Sequence, residues 1–138
     1  MSPDTNTGTL TGTMVAPFIF VGLQARLAVQ AGFEAVYMTG FGTAASYGLP
    51  DLGLLTLTEM AARAAVITRA VDVPVIADAD TGYGNPLNVV RTVQEYERAG
   101  VNAIHIEDQV FPKRCGFLED KAVIPTAEMV AKVRAATD

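Results

Sequence analysis

Acidic side chains stand at the ends of the apolar runs of this sequence or in the loops that follow them, where a chemical site could form. They are Asp51, Asp78, Asp80, Glu107 and Asp108. If those runs are parallel strands, their carboxyl ends share one edge of the sheet and the acids converge there. The spacing of Asp78 and Asp80 predicts that both point to the same face. Converging carboxylates repel each other unless a cation or protons neutralise them.

Oxygen ligands with neither a histidine pair nor a thiolate cluster favour Mg²⁺ or Mn²⁺ over zinc. The acid set therefore predicts a divalent metal site. The alternative is that each acid only caps a helix or terminates a strand.

Cys115 is the one cysteine, and its neighbours Lys113, Arg114 and Gly116 give it a basic setting in a loop. Positive neighbours activate a thiol, whereas an isolated cysteine otherwise behaves as a small hydrophobe. A single cysteine excludes a disulfide framework and fits a reducing, cytoplasmic compartment.

The elements that would position these groups repeat one pattern, in which a short apolar run is followed by a turn and then by an amphipathic stretch. The runs are 15–21, 35–38, 73–77 and 103–106. Strands that alternate with helices predict a parallel sheet covered by helices. About 30 residues per unit matches a (β/α)₈ barrel of about 250 residues. We therefore predict an α/β domain over 14–138 with four βα units, half of such a barrel, and a disordered Thr/Gly-rich tail over 1–13.

Local signals mark the helices. Thr56 and Glu59 form a capping box at one start, and Asn85 with Pro86 marks another. Residues 39–55, which lie between the second run and Thr56, are rich in glycine and are predicted to be a loop.

Composition excludes several classes of protein. The chain has 138 residues, half of them hydrophobic, and a net charge of −5. The negative charge argues against a nucleic-acid partner. The longest apolar run, 14–23, is far shorter than the roughly 20 residues of a membrane span, so we expect no membrane association.

Five segments carry a resemblance to a known family. They are Tyr37-Met38-Thr39-Gly40, Gly48-Leu49-Pro50-Asp51-Leu52-Gly53, Asp78-Ala79-Asp80-Thr81-Gly82-Tyr83-Gly84-Asn85, His105-Ile106-Glu107-Asp108-Gln109 and Pro112-Lys113-Arg114-Cys115-Gly116. Over residues 32–132 the chain resembles the isocitrate lyase/phosphoenolpyruvate mutase superfamily. The resemblance implies a (β/α)₈ barrel, a divalent metal and small 2-oxo or 2-hydroxy acids as substrates.

The same resemblance implies roles for individual residues. Asp78 would ligate the metal directly, while Asp51, Asp80 and Glu107 would hold its waters. The backbone of Thr39, Gly40 and Phe41 would bind the substrate carboxylate, with His105 lining the pocket. Tyr37 would lie beside the reacting centre. Cys115, in a gating loop with Lys113 and Arg114, would transfer a proton at the carboxylate-bearing carbon.

These roles favour a Mg²⁺-dependent carbon–carbon lyase that acts on methylisocitrate-like di- or tricarboxylates and releases a 2-oxo acid such as pyruvate. One alternative is a mutase or hydrolase of carbon–phosphorus bonds, since such enzymes share the acid set. A second is a truncated, non-catalytic paralogue that serves as a binding module. Phe117 stands where the lyases have histidine, and the apolar segment 18–21 replaces polar residues near the first strand.

A four-stranded half-barrel would leave its first and last strands with unpaired backbone groups and apolar faces. We expect a second copy of the chain to cover them, in a homodimer or higher homo-oligomer. The alternatives are a longer gene product, of which this chain is a fragment, and a separate protein that supplies the second half.

Overall fold

The computed structural model describes residues 13–138, so the predicted tail 1–13 lies outside the described residues except for Thr13. Four parallel strands form one sheet in sequence order: β1 (Phe18–Ile19), β2 (Val36–Met38), β3 (Val75–Asp78) and β4 (Ala103–His105). The helices in this range are α1 (Gly22–Gln30), α2 (Gly40–Ser46), α3 (Leu57–Thr68), α4 (Pro86–Arg98) and α5 (Thr126–Thr137). Helices connect successive neighbouring strands, so the predicted half of a (β/α)₈ barrel is confirmed.

The helix boundaries follow local capping chemistry. The Thr56 side chain accepts the Glu59 N–H and the Glu59 carboxylate accepts the Thr56 N–H, so the predicted capping box is confirmed. Asn85 caps α4, and Pro86 is its first residue. Gly100 follows α4 with a φ of +83°, a conformation that glycine adopts at little cost.

Two elements differ from the sequence prediction. Strand β1 has two residues instead of seven. The Phe20 N–H donates to the Gln24 side chain at 2.9 Å, so it does not pair with the neighbouring strand. Helix α2 lies inside the segment predicted as loop, where the Thr39 hydroxyl caps it by accepting the Gly42 N–H. The small residues of α2 carry no apolar periodicity, so the pattern held no signal for a helix.

The core lies at the centre of the sheet. Val36 and Met38 of β2 and Val75 and Ala77 of β3 are buried. The edges differ, since Phe18 of β1 is 74% exposed and the ends of β4 are exposed as well. None of the helices within residues 13–138 has the length and apolar character needed to cross a bilayer.

Candidate active site

Asp78 and Asp80 form the inner part of an acid cluster at the carboxyl end of β3. The Asp78 carboxylate accepts the Gly40 N–H at 3.0 Å and the Asp80 N–H at 2.9 Å. Asp80 lies beyond the strand with a φ of +46°. The two acids do come together, but the predicted reason, a shared strand face, is wrong. A left-handed turn after Asp78 places Asp80.

The carboxylates of Asp78 and Asp80 pack against the backbone of Gly40. A Cβ atom at this position would lie 2.6 Å from Asp78 Oδ2 and 3.4 Å from Asp80 Oδ1. The first distance is shorter than real Cβ contacts, so a side chain here would displace the Asp78 carboxylate. The close approach explains why glycine begins α2.

Lys113 brings the loop after β4 into the acid cluster. Its side chain is 2% exposed, and its Nζ lies 2.6 Å from Asp51 Oδ1 and 2.8 Å from Asp80 Oδ1. Asp80 Oδ1 is buried without a hydrogen bond of good geometry to any described residue, so its contact with Lys113 is a charge contact. Burial lowers the pKa of Lys113, but the carboxylates of Asp80, Asp51 and Asp78 raise it by more, and the net shift is upward.

Glu107 closes the cluster from the side of β4. Its carboxylate accepts the Gln109 amide N–H at 2.7 Å, and its backbone N–H donates to the Asp80 carbonyl, also at 2.7 Å. Gln109 also bonds both the carbonyl and the N–H of Arg114, so it ties Glu107 to the loop. The Asp108 side chain is exposed and makes no hydrogen bond or ion pair with a described residue; the backbone carbonyl of Asp108 accepts the Ile124 N–H.

The charges of the cluster are compatible with a divalent cation. Burial raises the pKa of Asp80 to about 6 against the opposing effect of Lys113, and burial also raises the pKa of Glu107. Four carboxylates face one ammonium, so negative charge is in excess. Within residues 13–138 no three acids, histidines or cysteines are placed to hold an ion together. The four carboxylates supply only oxygen donors, which Mg²⁺ prefers, and an ion that keeps several of its waters does not need three of them in direct contact.

Tyr37 and His105 lie beside the cluster on β2 and β4. The Tyr37 hydroxyl is 3.1 Å from His105 Nδ1, and the Tyr37 ring packs on Phe18 with centroids 5.0 Å apart. Burial raises the pKa of Tyr37, with the charges of Asp78 and Glu107 adding to the rise. The phenol is therefore protonated at neutral pH and can act as a hydrogen-bond donor.

The backbone at Thr39, Gly40 and Phe41 is partly engaged. The Thr39 N–H donates to the Ile19 carbonyl and the Gly40 N–H donates to Asp78. No acceptor among the described residues takes the Phe41 N–H. Of the three predicted anchors for a substrate carboxylate, the Phe41 N–H is the one left available.

Cys115 is half-buried and free, and its backbone N–H donates to the Asp51 carbonyl at 3.1 Å. The two basic side chains near it, Lys113 and Arg114, bind other groups. Lys113 is paired with the acids, and the Arg114 guanidinium lies 3.3 Å from the Glu119 carbonyl. The expected basic setting of the thiol is therefore weaker than the sequence suggested. Its loop is closed by a bridge between Gln109 and Val123.

Two further tyrosines support the site from behind. The Tyr96 hydroxyl donates to the Asp78 carbonyl at 2.8 Å and lies 3.2 Å from the Tyr83 hydroxyl. Tyr83 packs against the hydrophobic core. The sequence missed the contributions of Tyr96 and Gln109, because a helical core position and a loop amide carry no distinctive pattern.

The fold and the acid cluster define one half of a (β/α)₈ barrel with its polar site at the carboxyl ends of the strands. The family model for phosphoenolpyruvate phosphomutase matches residues 9–138. The chain therefore belongs to the phosphoenolpyruvate phosphomutase family, and the predicted superfamily is confirmed.

Relatives in this family include lyases. A 2,3-dimethylmalate lyase of Eubacterium barkeri is 55% identical over 91% of this chain and 44% of its own length. A 2-methylisocitrate lyase of Aeropyrum pernix is 54% identical over 89% of this chain and 40% of its own. The chain thus spans less than half the length of these relatives.

Solved structures agree with the fold. A crystal structure of 2,3-dimethylmalate lyase superposes with a TM-score of 0.86 at 54% identity, over 90% of this chain and 42% of that one. A phosphonopyruvate hydrolase, solved in complex with oxalate and Mg²⁺, superposes with a TM-score of 0.81 at 38% identity, over the same shares.

Proposed function

We propose that this chain acts as a Mg²⁺-dependent carbon–carbon lyase on small 2-hydroxy or 2-oxo di- and tricarboxylates of the methylisocitrate type. The observation that carries the proposal is the link between the Cys115 loop and the acid cluster through Lys113. That link, together with the bond from the Cys115 N–H to the Asp51 carbonyl, ties the loop that carries the thiol to carboxylates suited to a divalent ion. The lyase relatives at more than 50% identity support the same choice.

The acid cluster has the chemistry to hold the ion. Asp78 would ligate Mg²⁺, or Mn²⁺ in its place, while Asp51, Asp80 and Glu107 would hold its waters. The metal would polarise the oxygens of a 2-oxo acid and stabilise negative charge as it develops there. The Phe41 N–H and the Tyr37–His105 pair supply hydrogen-bonding groups for the substrate carboxylate and oxygen.

The thiol completes the reaction. When the carbon–carbon bond breaks, its electron pair passes to the carboxylate-bearing carbon of the leaving fragment, and the Cys115 S–H protonates that carbon. The hydroxyl group of the other fragment would pass its proton to a carboxylate of the acid cluster, and its oxygen would become the oxo oxygen of the product, such as pyruvate. Lys113 and Arg114 hold the loop that carries the thiol.

The single cysteine supports a reducing cytoplasm as the compartment.

The test is release of pyruvate or glyoxylate from a panel of 2-hydroxy acids, with Mg²⁺, with Mn²⁺ and with a chelator. Cys115→Ser should lower turnover by about 10²–10⁴-fold, while the binding of oxalate with Mg²⁺ is retained. Cleavage of phosphonopyruvate instead would favour the carbon–phosphorus alternative, in line with the phosphonopyruvate hydrolase structure. Oxalate binding without any turnover would overturn the lyase and support a binding module.

We also propose that a second copy of the chain covers the open sheet edges. Phe18 leaves an exposed aromatic ring at β1, and a cavity of about 410 Å³ with apolar walls, including Ile104 and Val133, lies beside β4. Two copies related by a two-fold axis along the strands would pair β4 of each with β1 of the other. A solution mass of twice 14.6 kDa is expected, and a monodisperse monomer would contradict this arrangement.

A further inference from the structure

Lys132 on α5 is a second buried lysine, outside the acid cluster. The residue is 4% exposed, and its Nζ donates one hydrogen bond, to the Thr81 carbonyl at 3.0 Å. An ammonium has three donors. No carboxylate in residues 13–138 lies within salt-bridge distance of it.

A buried charge with only a neutral partner is unusual. Lysines are almost never fully buried unless they are paired, because removing the ammonium from water is expensive. Lys113, in the same molecule, has two carboxylates. The described residues give Lys132 no such counter-charge, so its ammonium has no charged partner among them.

A cavity adjoins this ammonium. Its volume is about 760 Å³, and both Lys132 and Thr81 line it, where the N-terminal ends of α3, α4 and α5 meet. One part of its wall carries polar donors, from Asn85, Asn88 and Arg91, and another is apolar, from Leu54, Leu55, Phe111 and Ile124. Gln109, which bonds Glu107, also lines it, whereas none of the carboxylates of the acid cluster does.

We propose that this cavity binds a small organic anion with an apolar body. Its carboxylate or phosphate group pairs with Lys132. Arg91, a largely exposed cation that also lies 3.8 Å from Glu95, lines the same cavity. The apolar walls accept a short hydrocarbon chain. This site is independent of the proposed lyase reaction, since it needs neither the metal nor Cys115.

Glu128 is a negatively charged residue of the same cavity and should oppose the binding of an anion there. It lies one turn before Lys132 on α5 and lines the cavity, but its carboxylate is beyond ion-pair distance. Because it shares the cavity with the bound anion, it repels that anion. Glu128→Gln is therefore expected to tighten anion binding.

The experiment titrates the chain, without divalent ions, with hexanoate, hexyl phosphate, hexanol and acetate, and follows the backbone amide NMR signals. Shifts should centre on Thr81, Asn88 and Lys132. At least one of the two anions with a hydrocarbon chain, hexanoate or hexyl phosphate, should bind. Hexanol, which has no charge, and acetate, which has no long hydrocarbon chain, should bind more weakly. Lys132→Met should weaken binding by about tenfold or more, the value of a charge-assisted hydrogen bond, while Lys132→Arg should restore it.

Arg134→Met is the matched control, since it removes an exposed cation from the same helix outside the cavity and should leave the affinity unchanged. Equal binding to the parent and to folded Lys132→Met would overturn the proposal, as would shifts confined to the acid cluster. Absence of binding to the parent and to Glu128→Gln would overturn it as well, by showing that the buried ammonium needs no anion. None of these outcomes depends on lyase activity.

Discussion

Two lysines are buried in the described part of this molecule, and their surroundings are opposite. Lys113 meets two carboxylates within 3 Å, whereas Lys132 meets one carbonyl and a cavity. The first charge is neutralised by the chain itself, and the second is not. The comparison shows that burial of a cation is informative only together with its partners. A paired cation organises a site, and an unpaired one indicates a missing ligand.

The two regions also differ in how tightly they are built. Segments distant in sequence meet at Lys113, and Gly40 leaves no room there for even a methyl group. The region at Lys132 encloses space instead. Removing a charge should therefore have large consequences in the first region and small ones in the second.

The largest effect is expected for Lys113→Met. Removing one partner of a buried ion pair leaves Asp51 and Asp80 uncompensated, which should lower the free energy of unfolding by about 3–5 kcal/mol. Chemical denaturation in the presence of a chelator measures it. Lys121→Met, an exposed lysine on the same loop, is the control and should change stability little. Equal effects of the two substitutions would remove the special role of Lys113.

Asp80→Asn should change how stability depends on pH. The pKa of Asp80 is about 6 in the folded chain and 3.8 ordinarily, so its protonation stabilises the fold below about pH 4. That contribution is lost as pH rises through 6. An upward shift of this size corresponds to a loss on the order of 3 kcal/mol, which asparagine, being neutral, avoids. Denaturation curves without metal should therefore show a smaller decline from about pH 4 to 7 in the variant. Parallel pH profiles would contradict the assignment.

Gly40→Ala should destabilise the chain by about 1–3 kcal/mol, in the range of overpacked sites. The added Cβ would push the Asp78 carboxylate away, so binding of Mg²⁺ should weaken as well. Gly116→Ala is the comparison, because a Cβ there meets nothing within 4 Å. Calorimetric titration with Mg²⁺ and thermal unfolding measure both effects. If the two alanines behave alike, the packing of the acids against Gly40 is not what holds them.

Lys132→Met is expected to have the smallest effect on stability. Removing a buried charge that has no counter-ion relieves a desolvation cost, while the Thr81 carbonyl loses its donor. The two effects oppose each other, so the net change should stay within about 1 kcal/mol. Denaturation beside Lys113→Met under identical conditions tests the contrast directly. A large loss would mean that Lys132 has a strong partner within the protein.

Much of the fold was predictable from local rules. The capping box at Thr56 and the Asn85–Pro86 start mark helices through interactions between near neighbours, and such signals survive in a single sequence. Helix α2 was missed because its small residues carry no periodicity, and β1 was overestimated because a side chain of α1 ends its ladder. Those features depend on neighbours that a linear pattern does not reveal.

The candidate site divides in the same way. Acids at the ends of parallel strands must converge, so the sequence identified Asp51, Asp78, Asp80 and Glu107 as a group. It treated Lys113 as a neighbour of Cys115, since adjacency was the only relation it could show. The structure turns Lys113 into the acids and pairs Arg114 within its own loop.

By itself the sequence determined the order of strands and helices, the half-barrel and the edge at which the acids collect, because these follow from periodicity and from the geometry of parallel strands. Only the tertiary structure decided which charges meet. It gave Lys113 two carboxylates and left Lys132 beside a cavity. The physical reason is that an ion pair or its absence depends on distances of a few ångströms between segments far apart in the chain, and those distances are set by packing.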